Sequence, residues 1–241
     1  IQKGEVTKDK CKIGYVGAFP YAEVISGFTS FYLGVKSVCD SATMEVKYTN
    51  SWASFDLEKE CAEQLIADGC VLISQHADTT GAPTACEAKK VPCVGYNIDM
   101  IPTAPDAALT SATINWGPYY TYAVQSVIEG TAIDTDWSKG VKDGADAITE
   151  LNDKTVAKGT KEKVEEAQKG IEDGTIHVFD TSKFTVGGKT LEELVESGDE
   201  DATKLQSYIK DGYFHESDVA GGMTSAPAFT FIIDGIDSIT K

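Results

Sequence analysis

Arginine is absent from the 241-residue chain; all 21 basic side chains are lysines. Receptors for carboxylates and phosphates ordinarily use the planar, bidentate fork of arginine. Sugar acids, amino acids and nucleotides are therefore disfavoured as ligands, and neutral polar molecules such as sugars and nucleosides remain. Positive charge is scarce overall, because 38 acidic residues leave a formal net charge of −17. Such a chain repels phosphate backbones and anionic lipid surfaces, so nucleic acid is not expected as a partner. No apolar run reaches the roughly 18 residues that a membrane-spanning helix needs. The six cysteines, at 11, 39, 61, 70, 86 and 93, show no C-x-x-C spacing, and His76, His177 and His215 are scattered. Neither a metal site nor a cofactor is expected from this pattern. Gly14-x-x-Gly17 is not a dinucleotide fingerprint, because no G-x-G-x-x-G opens the following helix. Most cysteines fall in apolar strands or on helix faces, where a buried free thiol behaves as a small hydrophobe. A Cys86–Cys93 disulfide is the alternative.

What is present is ample apolar material, 41% of the residues. The first half alternates strands and helices. Strands are expected at Lys12–Gly17, Met44–Thr49, Cys70–Ser74, Pro92–Tyr96 and Ala108–Ile114. Helices are expected at 21–38, with the stripe Val24, Phe28, Phe31, Val35 and Val38, and at 56–68, with Leu57, Cys61 and Leu65 inward. Asp56, Glu58 and Glu60 place negative charge in the first turns of the second helix, and Gly69 suits its end. Further helices are expected at 82–89 and 117–129. This alternation predicts an α/β fold with a parallel, Rossmann-like sheet covered by helices on both faces.

The second half is less regular. A helix is expected from Thr160 to Glu172 with Val164, Ala167 and Ile171 inward, and strands at Ile176–Phe179 and Phe229–Ile233. Residues 188–222, polar and Gly-rich, read as an insertion or mobile surface segment with helical pieces near 191–196 and 202–210. The opening Ile1-Gln2-Lys3-Gly4 carries no leader pattern and reads as the interior of a longer protein.

Ligands of parallel sheets sit beyond the carboxyl ends of the strands. The residues that follow each strand are Ala18-Phe19-Pro20-Tyr21, Asn50-Ser51-Trp52, Gln75-His76-Ala77-Asp78 and Asn97-Ile98-Asp99. Trp52 in such a loop is either a plug for the core or a stacking platform for a flat ring, with Phe19 and Tyr21 as a second wall. Asp99 and Asn97 either grip hydroxyl groups or form turns. His76 and Asp78 are either an acid/base pair or hydrogen-bonding supports.

The segments KIGYVGAFPYAEVISGFTSFYLGVKSV, VKYTNSWASFDLEKECAEQLIADGCVLISQHAD, VGYNIDM and LTSATINWGPYY, in this order, resemble the basic membrane protein family of ABC-transporter substrate-binding lipoproteins, which includes purine nucleoside receptors. The match continues more weakly to SAPAFTFIIDGI. The resemblance implies a two-lobed, type I periplasmic-binding-protein fold. Residues 1–115 would be the second lobe, and 116–241 the crossover and C-terminal segments, partly packed on a first lobe that this sequence lacks. It implies that Trp52 stacks on a base and that the acidic residue of the family's G-V-D-x-D motif grips ribose hydroxyls; together with the rim, the expected ligand-binding residues are Phe19, Tyr21, Trp52, His76, Asp78, Asn97 and Asp99. The family's G-V-D-x-D reads Gly95-Tyr96-Asn97-Ile98-Asp99 here, so its first aspartate is Asn97. No lysine follows Leu109-Thr110-Ser111 at the family's usual place. Both departures bear on ribose recognition.

The expected function is extracytoplasmic, non-catalytic binding of a nucleoside-like or nucleobase-like molecule for an ABC permease, by a lipoprotein whose anchor lies outside this sequence. The rivals are the ligand-sensing domain of a surface receptor or regulator, and a nucleoside hydrolase using Asp78 or Asp99. With one wall of the site, this chain alone is expected to bind poorly and to self-associate.

Overall fold

A computed structural model describes residues 6–216, 218–219, 222–223 and 226–239. Residues 1–5 and, within the 188–222 segment, residues 217, 220 and 221 lie outside that range. The first two-thirds runs β1 (Lys12–Gly17), α1 (Ala22–Val38), β2 (Thr43–Tyr48), α2 (Phe55–Ala67), β3 (Ile73–His76), α3 (Gly81–Lys89), β4 (Cys93–Tyr96), β5 (Ala108–Ile114), α4 (Gly117–Glu129), β6 (Asp146–Ile148) and α5 (Thr160–Glu172). Short elements follow: α6 (Leu191–Glu196), α7 (Glu200–Lys204), the hairpins β7 (Ile209–Lys210)–β8 (Tyr213–Phe214) and β9 (Asp218–Val219)–β10 (Gly222–Met223), and β11 (Ile236–Ile239).

Seven strands form one sheet in the order β11-β2-β1-β3-β4-β5-β6. All neighbours are parallel except β6, which runs antiparallel to β5. The parallel α/β fold expected from alternation is present, and the strand order places the ends of β1, β2, β3 and β4 side by side. One core lies between the sheet and α1, built on Ile13, Tyr15, Val24, Phe28, Tyr32, Val46 and Tyr48. The other lies under α2 and α3, built on Val16, Cys61, Leu65, Ile73, Cys86 and Met100. At the amino end of the strands, Lys12 and Lys47 both pair with Glu45, and Lys47 also reaches Asp68 at 3.1 Å. These pairs tie β1, β2 and the end of α2 together.

Several expected details are corrected. In α1, Val38 is exposed, while Ile25 and Tyr32 are buried. In α2 the buried positions are Glu58, Cys61, Ala62 and Leu65, and Leu57 points out. The third strand starts at Ile73 rather than Cys70, because the Cys70 amide is used by Leu65 O to close α2. Residues 176–179 form no strand: 176–177 are irregular and 178–179 turn. The alternation Phe229, Phe231, Ile233 is real burial, yet these residues pair with no strand. The amides of Ala228 and Phe229 instead donate to the Glu216 carboxylate, at 3.0 and 3.3 Å. The last strand, β11, comes three residues later and pairs with β2.

The 188–222 segment is not a loose insertion in its described part. Leu191, Ala202 and Phe214 are buried in the α1-side core together with Phe179, Phe184 and Phe229. Its first helix is fixed locally by a capping box: the Glu193 amide donates to Thr190 Oγ1 at 3.2 Å, and the Thr190 amide to Glu193 Oε2 at 2.9 Å. In α5 only Gly170 is buried; Ala167 and Ile171 are exposed rather than inward. All six cysteines are free thiols, five of them buried and Cys11 half-buried. The Cys86 and Cys93 thiols hydrogen-bond each other, and that bond first, then burial, raises the Cys86 pKa.

Candidate ligand-binding site

Four strands end on one rim, and backbone hydrogen bonds lock their loops to one another. The Thr49 amide donates to Gly17 O at 2.9 Å, and the Ala18 amide to His76 O at 3.1 Å. The Asp78 amide donates to the carbonyl of Trp52 itself at 2.8 Å, which ties the Trp52 and Asp78 loops together. Asn97 donates its amide to Ala112 O at 2.8 Å and holds φ at 68°, a left-handed turn that asparagine tolerates.

Two buried polar side chains brace the rim from below. Gln75, under β3's last turn, donates to Ala77 O and Thr79 O at 2.7 and 3.0 Å. Glu58, wholly buried on α2, accepts from the Ser54 amide at 3.3 Å and from the Thr79 amide at 3.1 and 3.3 Å. One carboxylate thus ties the loop that carries Trp52 to the loop that carries Asp78. Burial raises its pKa, and the hydrogen bonds it accepts oppose that rise. From sequence alone Glu58 counts only as negative charge in the first turns of the helix. The available signal was its spacing: positions 58, 61, 62 and 65 form one helical stripe.

Above these braces the rings gather. Phe19 and Tyr21 stack, with centroids 5.1 Å apart and planes at 11°. Trp52 lies 5.6 Å from Phe19 and 6.3 Å from Tyr21. His76 meets the edge of Trp52 at 6.5 Å and Tyr96 at 4.4 Å. Tyr21 is 54% exposed, Phe19 and Trp52 are half-buried, and His76 is buried. Trp52 is half-buried: one side packs on the α1-side core, and the rest stays exposed at the rim. Tyr96, which the sequence reading passed over as a strand residue, belongs to the same group. Burial first, then the nearby Glu23 and Asp78 charges, push its hydroxyl up to about 12.

The polar candidates divide. Asn97 Nδ2 donates to Asp78 Oδ1 at 3.3 Å, which brings these two together at the rim. Asp99 takes the turn-forming role with one oxygen: Oδ1 accepts from the Ile101 amide at 2.9 Å. His76 and Asp78 form no acid/base pair. The nearest charged group to His76 Nε2 is Glu23 Oε1, at 3.7 Å, and burial lowers the His76 pKa to about 4. The ring is therefore neutral at neutral pH, and the contact with Glu23 is not an ion pair. None of the rim residues at 18–21, 49–54, 76–80 and 97–99 is a lysine. Among the described residues no group of three His, Cys, Asp or Glu side chains could hold a metal ion.

A hollow of about 420 Å³ lies beyond the end of β5 and is lined by Asn115, Trp116, Tyr119, Trp137 and Asp146 among others. It stands apart from the Trp52 rings, on the α4 side. The four-strand rim presents flat apolar faces, a neutral imidazole, and carboxylate and amide groups.

Among known proteins, the chain is 32% identical over 69% of its length to a purine-binding protein of Brucella abortus. It is 31% identical over 75% of its length to a Haloferax volcanii protein named for glucose binding by an ABC transporter. It covers 47% and 46% of those proteins, so the chain spans about half the length of the curated relatives it matches. Two solved structures share the fold. A solute-binding protein of an ABC transporter from Aeropyrum pernix has a TM-score of 0.58 at 17% identity, covering 80% of this chain and 63% of that one. A transcriptional activator of the comK gene from Bacillus halodurans has a TM-score of 0.61 at 19% identity, covering 72% of this chain and 59% of that one. The sequence model of the PnrA-like ABC transporter substrate-binding proteins matches residues 5–180, strands β1 to β6 and the rim they carry included, and the chain belongs to that family.

Proposed function

We propose that this chain carries one wall of the ligand site of an extracytoplasmic receptor that delivers a nucleobase-like or nucleoside-like molecule to an ABC permease. The observation that carries this reading is the ring group Phe19, Tyr21 and Trp52 at the carboxyl ends of adjacent strands. Flat π faces at a rim with no lysine suit an uncharged heterocycle better than an acid or a phosphate. The name of the Brucella relative points to purines, and that of the Haloferax relative to glucose. The stacked rings favour the former. In the domain division that goes with this reading, residues 1–115 belong to the second of two lobes, and closure of the lobes on the ligand creates the surface that the permease reads. Anchoring by a lipid outside this sequence belongs to the same proposal. Among the described residues no helix is long and apolar enough to cross a membrane.

A single wall gives weak binding. Losing half the contacts of a ligand held at about −8 kcal/mol, a micromolar affinity, leaves millimolar binding. NMR titration with adenine, adenosine, inosine and glucose suits that range. The heterocycles are expected to shift the Trp52 indole signal, and no free base is expected to form from inosine. Trp52→Ala is expected to weaken binding by about 1–3 kcal/mol with little loss of stability. Response to glucose alone, or release of base, would overturn the proposal.

A further inference from the structure

Among the described residues two buried side-chain atoms lack a hydrogen-bond partner, Thr29 Oγ1 and His76 Nε2. Thr29 lies inside α1, but His76 stands at the rim. A buried polar atom without a partner bears its full desolvation cost, so an unpaired one in a folded protein calls for an explanation. Packing leaves His76 little freedom. Its Nδ1 side is pressed on α1, where only glycine fits: a Cβ on Gly27 would lie 2.5 Å from Nδ1. Tyr96 and Trp52 flank the ring. The Nε2 edge faces Glu23, whose Oε1 at 3.7 Å is too far for a hydrogen bond. Glu23 sits on the first turn of α1 with 53% of its side chain exposed, which leaves it free to turn aside. A carboxylate on that side favours the ring tautomer with its proton on Nε2.

We propose that His76 Nε2–H and the Glu23 carboxylate together read an adjacent acceptor–donor edge on the ligand, the amidine edge of an aminopurine. This rests on the base-binding role proposed above. The heterocycle lies against the Trp52 wall and Glu23 swings to meet it. His76 Nε2–H donates to a ring nitrogen, and the exocyclic amine donates to Glu23. The unpaired nitrogen gains its partner only when such a ligand arrives, and a ring lacking either group leaves His76 or Glu23 unsatisfied. Selection by this pair is thus a matter of edge chemistry, separate from the stacking that Trp52 supplies.

The test uses the full chain, with 15N-histidine labelling and three probes: adenine, unsubstituted purine and N6,N6-dimethyladenine. Purine lacks the amine, and the dimethyl compound keeps the ring nitrogen but has no N–H to give. Adenine is expected to bind about tenfold or more tightly than either. The ring spectra should show the His76 proton on Nε2, with a shift when adenine binds. Glu23→Met, a change at an exposed site that removes the acceptor, and His76→Phe should each bring the three probes to within about twofold of one another, while the Trp52 indole signal still responds. Three equal affinities in the wild type, or a proton on Nδ1, would sink the inference and leave the base-binding role standing. Silence of Trp52 towards all three probes would remove both.

Discussion

Helices α1 to α3 and helices α4 and α5 carry apolar stripes of similar kind and meet opposite surroundings. In α1, Val24, Ile25, Phe28 and Tyr32 sink into the sheet. In α4, Tyr119 and Tyr122 pack on Trp137, with centroids 5.3 and 6.5 Å away, but the other stripe is bare. Tyr120, Val124, Val127 and Ile128 are 59–73% exposed, and Ser126 is the buried residue of that helix. The contrast separates two things that an amphipathic pattern is often taken to fix together. The pattern decides that a helix forms, and the partner decides whether its stripe is covered.

The largest effect that could break the comparison is in the covered half. Phe28→Ala removes a fully buried ring from the α1-side core and is expected to cost about 3–5 kcal/mol in urea unfolding. A loss below about 1 kcal/mol would show that the covered stripe is no better packed than the bare one. Next comes His76, whose burial depends on α1 lying close. Its folded pKa of about 4 is below the ordinary 6.5, so the unfolded chain binds the extra proton between these values. Stability is expected to fall as pH drops from 6.5 to 4, by about 3 kcal/mol in all. Glu23, Trp52 and Tyr96 face the ring, and carboxylates elsewhere titrate in the same range. The measurement is therefore the difference between wild type and His76→Gln across that window, and a flat difference would refute the expectation.

Glu58→Gln tests the brace beneath the rim. The amide keeps the shape but loses charge-assisted bonds to Ser54 and Thr79, for a cost of about 1–3 kcal/mol. The Trp52 and Asp78 loops should also exchange amide protons faster; unchanged exchange would count against the tie. The smallest effect is expected in the bare half. Replacing Val124, Val127 and Ile128 by Gln should change stability by less than about 0.5 kcal/mol per site and should reduce self-association in analytical ultracentrifugation. A large loss of stability would mean that the stripe is covered after all.

Much of the fold could be read from sequence because helix and strand alternate, each with its own period, up to α4. The rim followed from that order alone, since residues after parallel strands share an edge. What could not be read were partners. Glu58 reads only as first-turn charge because its donors, the amides at 54 and 79, come together only in the folded chain. Tyr96 was hidden in its own strand. Phe229, Phe231 and Ile233 alternate as a strand does, but alternation reports burial and not pairing, and Glu216 takes the place of a neighbouring strand. The segment after 188 looked loose because its apolar residues are few, and Leu191, Ala202 and Phe214 are the ones buried.

The pairing of β11 with β2 also bears on how the chain reaches its fold. Tyr48 and Ser238, whose hydroxyls meet at 3.0 Å, are 190 residues apart in sequence. During synthesis β1 to β4 can assemble early, because each joins a neighbour already made, yet one side of β2 must wait for the last strand. Loop closure over such a span adds only slowly to the entropic cost, about 0.6 kcal/mol per doubling of length. Its main consequence is in time: non-local pairing slows folding. An unpaired strand edge is also open to a neighbouring chain while it waits. Strand β11 therefore acts as a lock on a sheet that is otherwise already built.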